Sequence, residues 1–466
     1  MKNSNISVTR RRCVILLQSL FLLVILPVQT VDASEFITLD WAIKQAQYND
    51  PWLVENQFVQ EALESKSMAA GILPNPTASL SLLNMPTDGF DFNQENMTQL
   101  KIGISQMFPR GDTLQLQTKK LQFLSRQNPH LRADRKALVS VLVAGLWLDA
   151  FNAKKSIRLI EENRNLFEQL LDISAASYST AFGGTQQQDV IRAQLELTRL
   201  DDRLTKLKQQ QEVALKQLNR WISGQFVEHY AVSSLPEMNS LAMDIDSQRL
   251  PQLVLRYPEL MQLEDTVIST TLASHFVQHP LVVALESRIK ASDTDIELNE
   301  QKYKSQWGLN ASYSYRGDSS NGRHRADLLS LGINFDLPLF TKVKQDKLVQ
   351  AAVFEAEAIK TQKWLLLRKM IAEFEAAKVQ FHRLDQRYQL YQHQLLPQIH
   401  EQAEAALTAY TNDEGDFAEV VRARIDVLDA EIDKLGIEVD RQKMIAQINY
   451  YLVKGDSSLI SEQRGD

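Results

Sequence analysis

The sequence predicts a mixed, mainly α-helical chain, internally duplicated, with four β-strands and two very long helical hairpins. Three observations carry this expectation. Laid over itself with a shift of 229 residues, the 466-residue sequence aligns almost without gaps: Pro51 falls on Pro280, Leu80 on Leu309, Gly103 on Gly332 and Pro109 on Pro338. The chain has only 13 prolines, so two coincidences at one offset mark a duplicated half-domain. The period is far beyond the roughly 20 to 50 residues of solenoid repeats. The second observation is a set of short stretches with period two, and the third is a pair of long stretches almost free of helix breakers. The predicted organisation is a leader over 1–33, a first repeat over 34–225, a connecting segment over 226–266, a second repeat over 267–453 and a disordered tail over 454–466.

The first 33 residues have the layout of a secretory signal peptide. Lys2 and Arg10 to Arg12 form a basic start, Val14 to Leu26 is largely apolar but too short to span a bilayer, and Val31-Asp32-Ala33 offers small residues for cleavage. The one cysteine, Cys13, lies in this segment, so the mature chain is expected to lack disulfides and thiolate metal sites. Cleavage removes four basic residues and one acid from totals of 51 and 58, leaving a net charge of −10. That balance disfavours a nucleic-acid partner. No later stretch has about 18 consecutive apolar residues, so no transmembrane helix is expected; a β-barrel would escape this test.

Within each copy the order is helix, two strands, very long helix, turn, returning helix. The first helix, about Thr38 to Gly71, opens with Thr38 as an N-cap and is interrupted at Asn49-Asp50-Pro51, matched by Gln278-His279-Pro280. In Trp307 to Tyr315 and in Leu329 to Leu337, apolar and small polar residues alternate; Leu100, Ile102 and Ile104 alternate with Lys101, Gly103 and Ser105, and Thr77 to Leu83 is their less regular partner. Such strands fit a membrane-spanning hairpin or a half-buried hairpin of a soluble domain. The long helices favour the first. Asp112 to Ala181 and Thr341 to Tyr410 contain no strong breaker except Pro129 and Pro397. Each would extend roughly 105 Å, more than a compact domain needs. The returning helices carry apolar seams at alternating steps of three and four, from Val190 to Trp221 and from Val421 to Val439.

Four strands cannot close a barrel, and an open sheet edge in lipid leaves backbone groups unsatisfied. Strands that enter a membrane would therefore require association: two chains give eight strands and a filled interior, three give twelve and room for a channel.

The strings "GILPNPTASLSL", "QLKIGISQMFPRGDTL" and "DVIRAQLEL" of the first copy resemble the outer-membrane efflux protein (TolC) family. So do "GLNASYSY", "SLGINFDLPLF" and "AYTNDEGDFAEVVRARIDVL" of the second, and together they cover nearly all of the mature chain. The resemblance implies a homotrimer with a twelve-stranded barrel in outer-membrane lipid of a Gram-negative bacterium, continued by a periplasmic α-helical coiled-coil barrel. It also implies docking to a periplasmic adaptor (membrane fusion protein) and an inner-membrane efflux pump. The "LPNP" and "SQMFPRG" strings are similar to members that serve heavy-metal pumps of the resistance-nodulation-division type, so heavy-metal cations are the expected cargo, with drugs or type I secreted proteins as alternatives. A periplasmic coiled-coil adaptor or structural spacer is the rival from another class; an adaptor should carry one hairpin beside a lipoyl-like domain.

The resemblance also directs attention to the helix turns. Phe182, Gly183, Gly184 and Thr185 in the first copy, and Asn412, Asp413, Glu414, Gly415 and Asp416 in the second, are the tip and adaptor-docking candidates. Three acids lie in the second turn, and threefold symmetry would place nine carboxylates at a narrow mouth, a field that favours cations. The same acids also suit the N-terminus of the next helix. One turn further in, Asp189 matches Glu419 and Arg192 matches Arg422; these four are the gate candidates. Glu419 takes the first acidic position of the family's entrance constriction, whereas its second acid is replaced by Arg422, which is expected either to break the double acidic ring or to latch a closed state. No cofactor is expected. His275 and His279 are four apart, but His279 precedes Pro280 and reads as a helix cap; His393 and His400 read as surface residues, and Met85, Met97 and Met107 as packing. The sequence has no nucleophile–histidine–acid arrangement, phosphate-binding glycine loop or zinc signature, so no enzymatic activity is expected.

Overall fold

The computed structural model describes residues 36–179, 187–223, 244–262, 265–412 and 414–454. The leader, Phe182, Gly183, Gly184, Thr185, Asp413 and nearly all of the tail lie outside the described residues. Two short helices open the chain, α1 (Leu39–Tyr48) and α2 (Pro51–Ala70). Strands β1 (Thr77–Leu83) and β2 (Gln99–Phe108) lead into α3 (Thr113–Ser179) and α4 (Gln187–Ile222). The second half repeats the order with α5 (Asp265–Phe276), α6 (Pro280–Glu300), β3 (Trp307–Tyr315) and β4 (Leu328–Phe335). It then continues as α7 (Thr341–Leu390), α8 (Leu396–Thr411) and α9 (Phe417–Tyr451).

Matched caps start α2 and α6. Asp50 Oδ1 accepts the Trp52 N–H at 3.1 Å, and His279 Nδ1 accepts the Leu281 N–H at 3.3 Å. Pro51 and Pro280 occupy the first helical position, where a missing N–H removes nothing that an intrahelical bond would have used. Because His279 Nδ1 accepts, Nε2 carries the ring proton and donates to the Tyr450 carbonyl at 3.1 Å. Complete burial pushes His279 down to about 4 from its ordinary 6.5. The unfolded chain therefore binds a proton that the folded chain refuses between these values, and stability falls as pH is lowered from 6.5 to 4. Nearby Asp134, which accepts from the Tyr450 hydroxyl at 3.0 Å, is raised by burial and acts in the opposite sense. His279→Asn retains a capping side chain but no titration. Relative to it, the wild type should lose up to about 3 kcal/mol over that window, read as the pH dependence of thermal unfolding in detergent.

The long helices differ in one respect from the sequence expectation. Pro129 lies inside an unbroken α3, whereas the second long helix passes through a π-helical turn at Tyr391–Leu395 just before Pro397. Proline has no N–H to donate and its ring crowds the carbonyl four residues back; the wider turn absorbs that clash without ending the helix. Strand β4 also stops two residues short of Leu337, where Asp336 bonds Gln306 through both its backbone N–H and its carboxylate. The next-but-one residue, Pro338, could not donate to a ladder.

The helices are held by three main apolar clusters. One surrounds Trp147 and Phe151 of α3 and takes in Ile37, α1, α4 and Val439 of α9. A second joins α5, α6, α7 and the end of α9 around Phe276 and Phe374. A third runs toward the turns, where Leu200 and Leu204 of α4 meet Phe417, Val421 and Leu428 of α9. The apolar stretch of α3 is long enough to cross a bilayer, although no uninterrupted apolar run shows in the sequence. Its Val139, Val143, Trp147 and Leu148 are at most 1% exposed, which makes it a core helix. The described part of the connecting segment is tied to these helices: Ile37 bridges Ile245, and the Leu253 and Arg256 N–H groups donate to Gln442 and Asn449 of α9.

Candidate functional site

The four strands form one antiparallel sheet in the order β1-β2-β3-β4. Because side chains alternate, the register decides what each face presents. On one face Leu80, Ile102, Tyr313 and Leu329 lie in one row, Ala78, Ile104, Ala311 and Leu331 in the next, and Phe108, Trp307 and Phe335 in another. Leu329, Leu331 and Ile333 are 73%, 77% and 68% exposed, so nothing among the described residues covers them. The Phe108 and Trp307 rings stack at 4.6 Å at one end of the band, and Tyr313 and Tyr315 lie at the other. An apolar band with aromatic residues at both margins is the profile of a lipid-facing barrel wall.

The opposite face is small and polar. Ser79, Gly103, Ser312 and Ser330 form one row and Thr77, Ser105, Asn310 and Gly332 another. A Cβ on Gly332 would stand 2.5 Å from Asn310 Oδ1, and one on Gly103 2.8 Å from Ser79 Oγ, so these glycines let the polar neighbours lie flat on the sheet. The outer edges of β1 and β4 have no partner strand among the described residues.

At the far end of the helices, the second turn is built tightly. Asp416 Oδ1 accepts the Ala418 N–H at 3.1 Å and caps α9. A Cβ on Gly415 would lie 2.8 Å from the Tyr410 backbone nitrogen, so the turn needs glycine there. Phe417 is buried against Tyr410, while Asn412 and Glu414 are exposed. Glu419 and Arg422 share the exposed face of α9 with Asp426, and the intervening Val420, Val421 and Ala423 are buried. Among the described residues neither Glu419 nor Arg422 makes an ion pair within the chain. Asp189 stands in the first turn of α4, and Arg192 is exposed one turn on.

Sequence reasoning missed the polar ties between the two halves. Arg203 of α4 pairs with Asp429 of α9, and Arg110 after β2 pairs with Asp336 after β4. Both pairs are 226 residues apart, close to the repeat distance, so equivalent levels of the two copies stand side by side. Opposite charges at matching levels of the two copies are the signal that could have found them. Lys443 to Asp149 at 2.5 Å adds a tie from α9 to α3.

No protein-family model matches the chain, and no curated protein matches it in sequence. Solved structures do match its fold. The outer-membrane channel OprN superposes with a TM-score of 0.71 at 15% identity, covering 90% of each chain. CusC, whose structures describe folding and transmembrane channel formation, gives 0.67 at 13% identity over 90% of this chain and 92% of its own. The open state of the MtrE outer membrane channel of Neisseria gonorrhoeae gives 0.66 at 15%, over 89% and 88%. The architecture expected from the resemblance to the outer-membrane efflux channels is therefore the one this chain adopts: a four-stranded sheet continued by long helical hairpins.

Proposed function

We propose that three copies of this chain form an outer-membrane duct, with a twelve-stranded barrel continued by a periplasmic helical conduit, and that the duct is the passive exit of a tripartite efflux system. The observation that carries this reading is an uncovered apolar face, in register over all four strands, on a sheet with two unpaired edges. In lipid those edges must be paired. The β2–β3 pairing between the two halves offers a template for pairing between chains. Advancing one strand and retarding the other by the repeat distance converts the pair Ile104–Ala311 into Ile333 against Leu82 of the next copy, and Gln106–Leu309 into Phe335 against Leu80. All four lie on the apolar face, so the lipid-facing band would continue across the joint.

In this reading the helix turns meet a periplasmic adaptor and an inner-membrane pump, and Asp189, Arg192, Glu419 and Arg422 surround the entrance. The uncovered face of α9 that carries Glu419 and Arg422 supports this placement, since a duct wall must present side chains that its own chain leaves unpaired. Heavy-metal cations are the cargo we assign, on the "LPNP" and "SQMFPRG" strings and the acids of the second turn. Glu419→Ala is expected to raise single-channel conductance or alter cation selectivity in planar bilayers. An unchanged channel removes Glu419 from the gate, and a chain recovered as a soluble monomer without detergent contradicts the duct.

A further inference from the structure

The polar face of the sheet holds one charged side chain. Lys101 lies in a row with Ser81, Ser314 and Leu328, and every other strand residue on that face, from Thr77 to Asn334, is uncharged. Lys101 is two residues from the start of β2, at the end of the sheet remote from the helices. Among the described residues no carboxylate pairs with it. Of the three acids in the loop beyond, Asp88 accepts from Gln94 at 2.9 Å and Asp91 from the Asn93 N–H at 2.9 Å, so these two are turned into their own loop, and the third, Glu95, makes no ion pair with Lys101.

Resting on the duct reading, we propose that Lys101 forms a ring of three ammonium groups that holds anions, phosphate-bearing solutes among them, at the outer end of the lumen. An uncompensated lysine on a serine-lined wall is the arrangement that attracts anions without binding one tightly. A lumen enclosed by low-dielectric walls concentrates the field of such groups. The field reaches about 10 Å at 0.1 M salt and about 30 Å at 0.01 M, so the ring acts across a wide pore when salt is low. The same charge repels free cations passing in either direction, whereas the acids of the tip act at the opposite end.

The test uses the full-length channel in planar bilayers at about 0.01 M salt, with inorganic tripolyphosphate added on the side of the strand loops. Tripolyphosphate should interrupt the current from that side, and Lys101→Gln should weaken the block on the order of tenfold, with Lys101→Arg retaining it. Lys101→Cys in a Cys13→Ser background, modified after reconstitution, guards against a variant that fails to assemble: a cationic thiol reagent should restore the block and an anionic one abolish it. Equal block in wild type and Lys101→Gln, or block indifferent to the sign of the attached charge, would overturn the proposal. A preparation that conducts but ignores tripolyphosphate overturns the ring alone; one that forms no pore overturns the duct reading beneath it.

Discussion

Ile104→Arg should remove the chain from the outer membrane, whereas Ser312→Arg should leave assembly largely intact. Both positions sit in the middle of the sheet, on neighbouring strands. Ile104 is 56% exposed in the single chain. For a soluble protein, changing so exposed a residue would move stability by no more than about 0.5 kcal/mol. In a lipid-facing row the arginine must enter hydrocarbon, at a cost of about 2–4 kcal/mol near the midplane, incurred once per copy. Ser312 lies on the polar face between Gly103 and Ser330, where an arginine would project into water. The amounts of each variant in the outer-membrane fraction decide the matter. Equal tolerance of both would mean that the apolar face does not meet lipid.

Arg135→Ala should be the most damaging change within the helices. Asp50 is 3% exposed, and Arg135 reaches its carboxylate at 2.7 Å while lying over the Trp52 and Trp221 rings at 5.6 and 5.4 Å. One guanidinium thus ties the cap of α2 to α3 and to the end of α4. Its loss leaves a buried carboxylate unpaired, a defect that costs about 3–5 kcal/mol. Arg135→Met combined with Asp50→Asn should recover most of that loss, because asparagine still caps the helix and carries no charge. Thermal midpoints of the purified protein measure both effects. A double variant as unstable as Arg135→Ala would assign the damage to lost packing instead.

The elements that repeat a simple period were legible in the sequence. β3 occupies the nine residues whose alternation marks it, and β1 has the bounds expected despite its weaker pattern. Thr38 and His279 cap the helices they precede. The π turn was not legible, because Pro129 and Pro397 look alike as helix interruptions and only their surroundings separate them. The ties Arg203–Asp429 and Arg135–Asp50 were hidden for a different reason: each joins elements distant in sequence, and neither partner departs from an ordinary solvated charge until the helices are packed. After the second helix turn, the sequence located Glu419 and Arg422 on one face of a helix. It left open whether Asp416 serves the mouth or the next helix, and in the fold its carboxylate caps α9.

The closure of the sheet by copies of itself is the central claim, and one pair of cysteines tests it. With Cys13→Ser removing the native thiol, Leu82→Cys and Ile333→Cys in one chain should oxidise between neighbouring copies, since directly opposed Cβ atoms lie about 4.5–5.5 Å apart. Each chain supplies both edges, so boiled, non-reduced samples should show a ladder that ends at the trimer and collapses to monomer with reductant. A ladder that stops at dimer, one that continues past trimer, or cross-linking that succeeds only when Ser81 replaces Leu82 as the cysteine position would contradict the twelve-stranded closure.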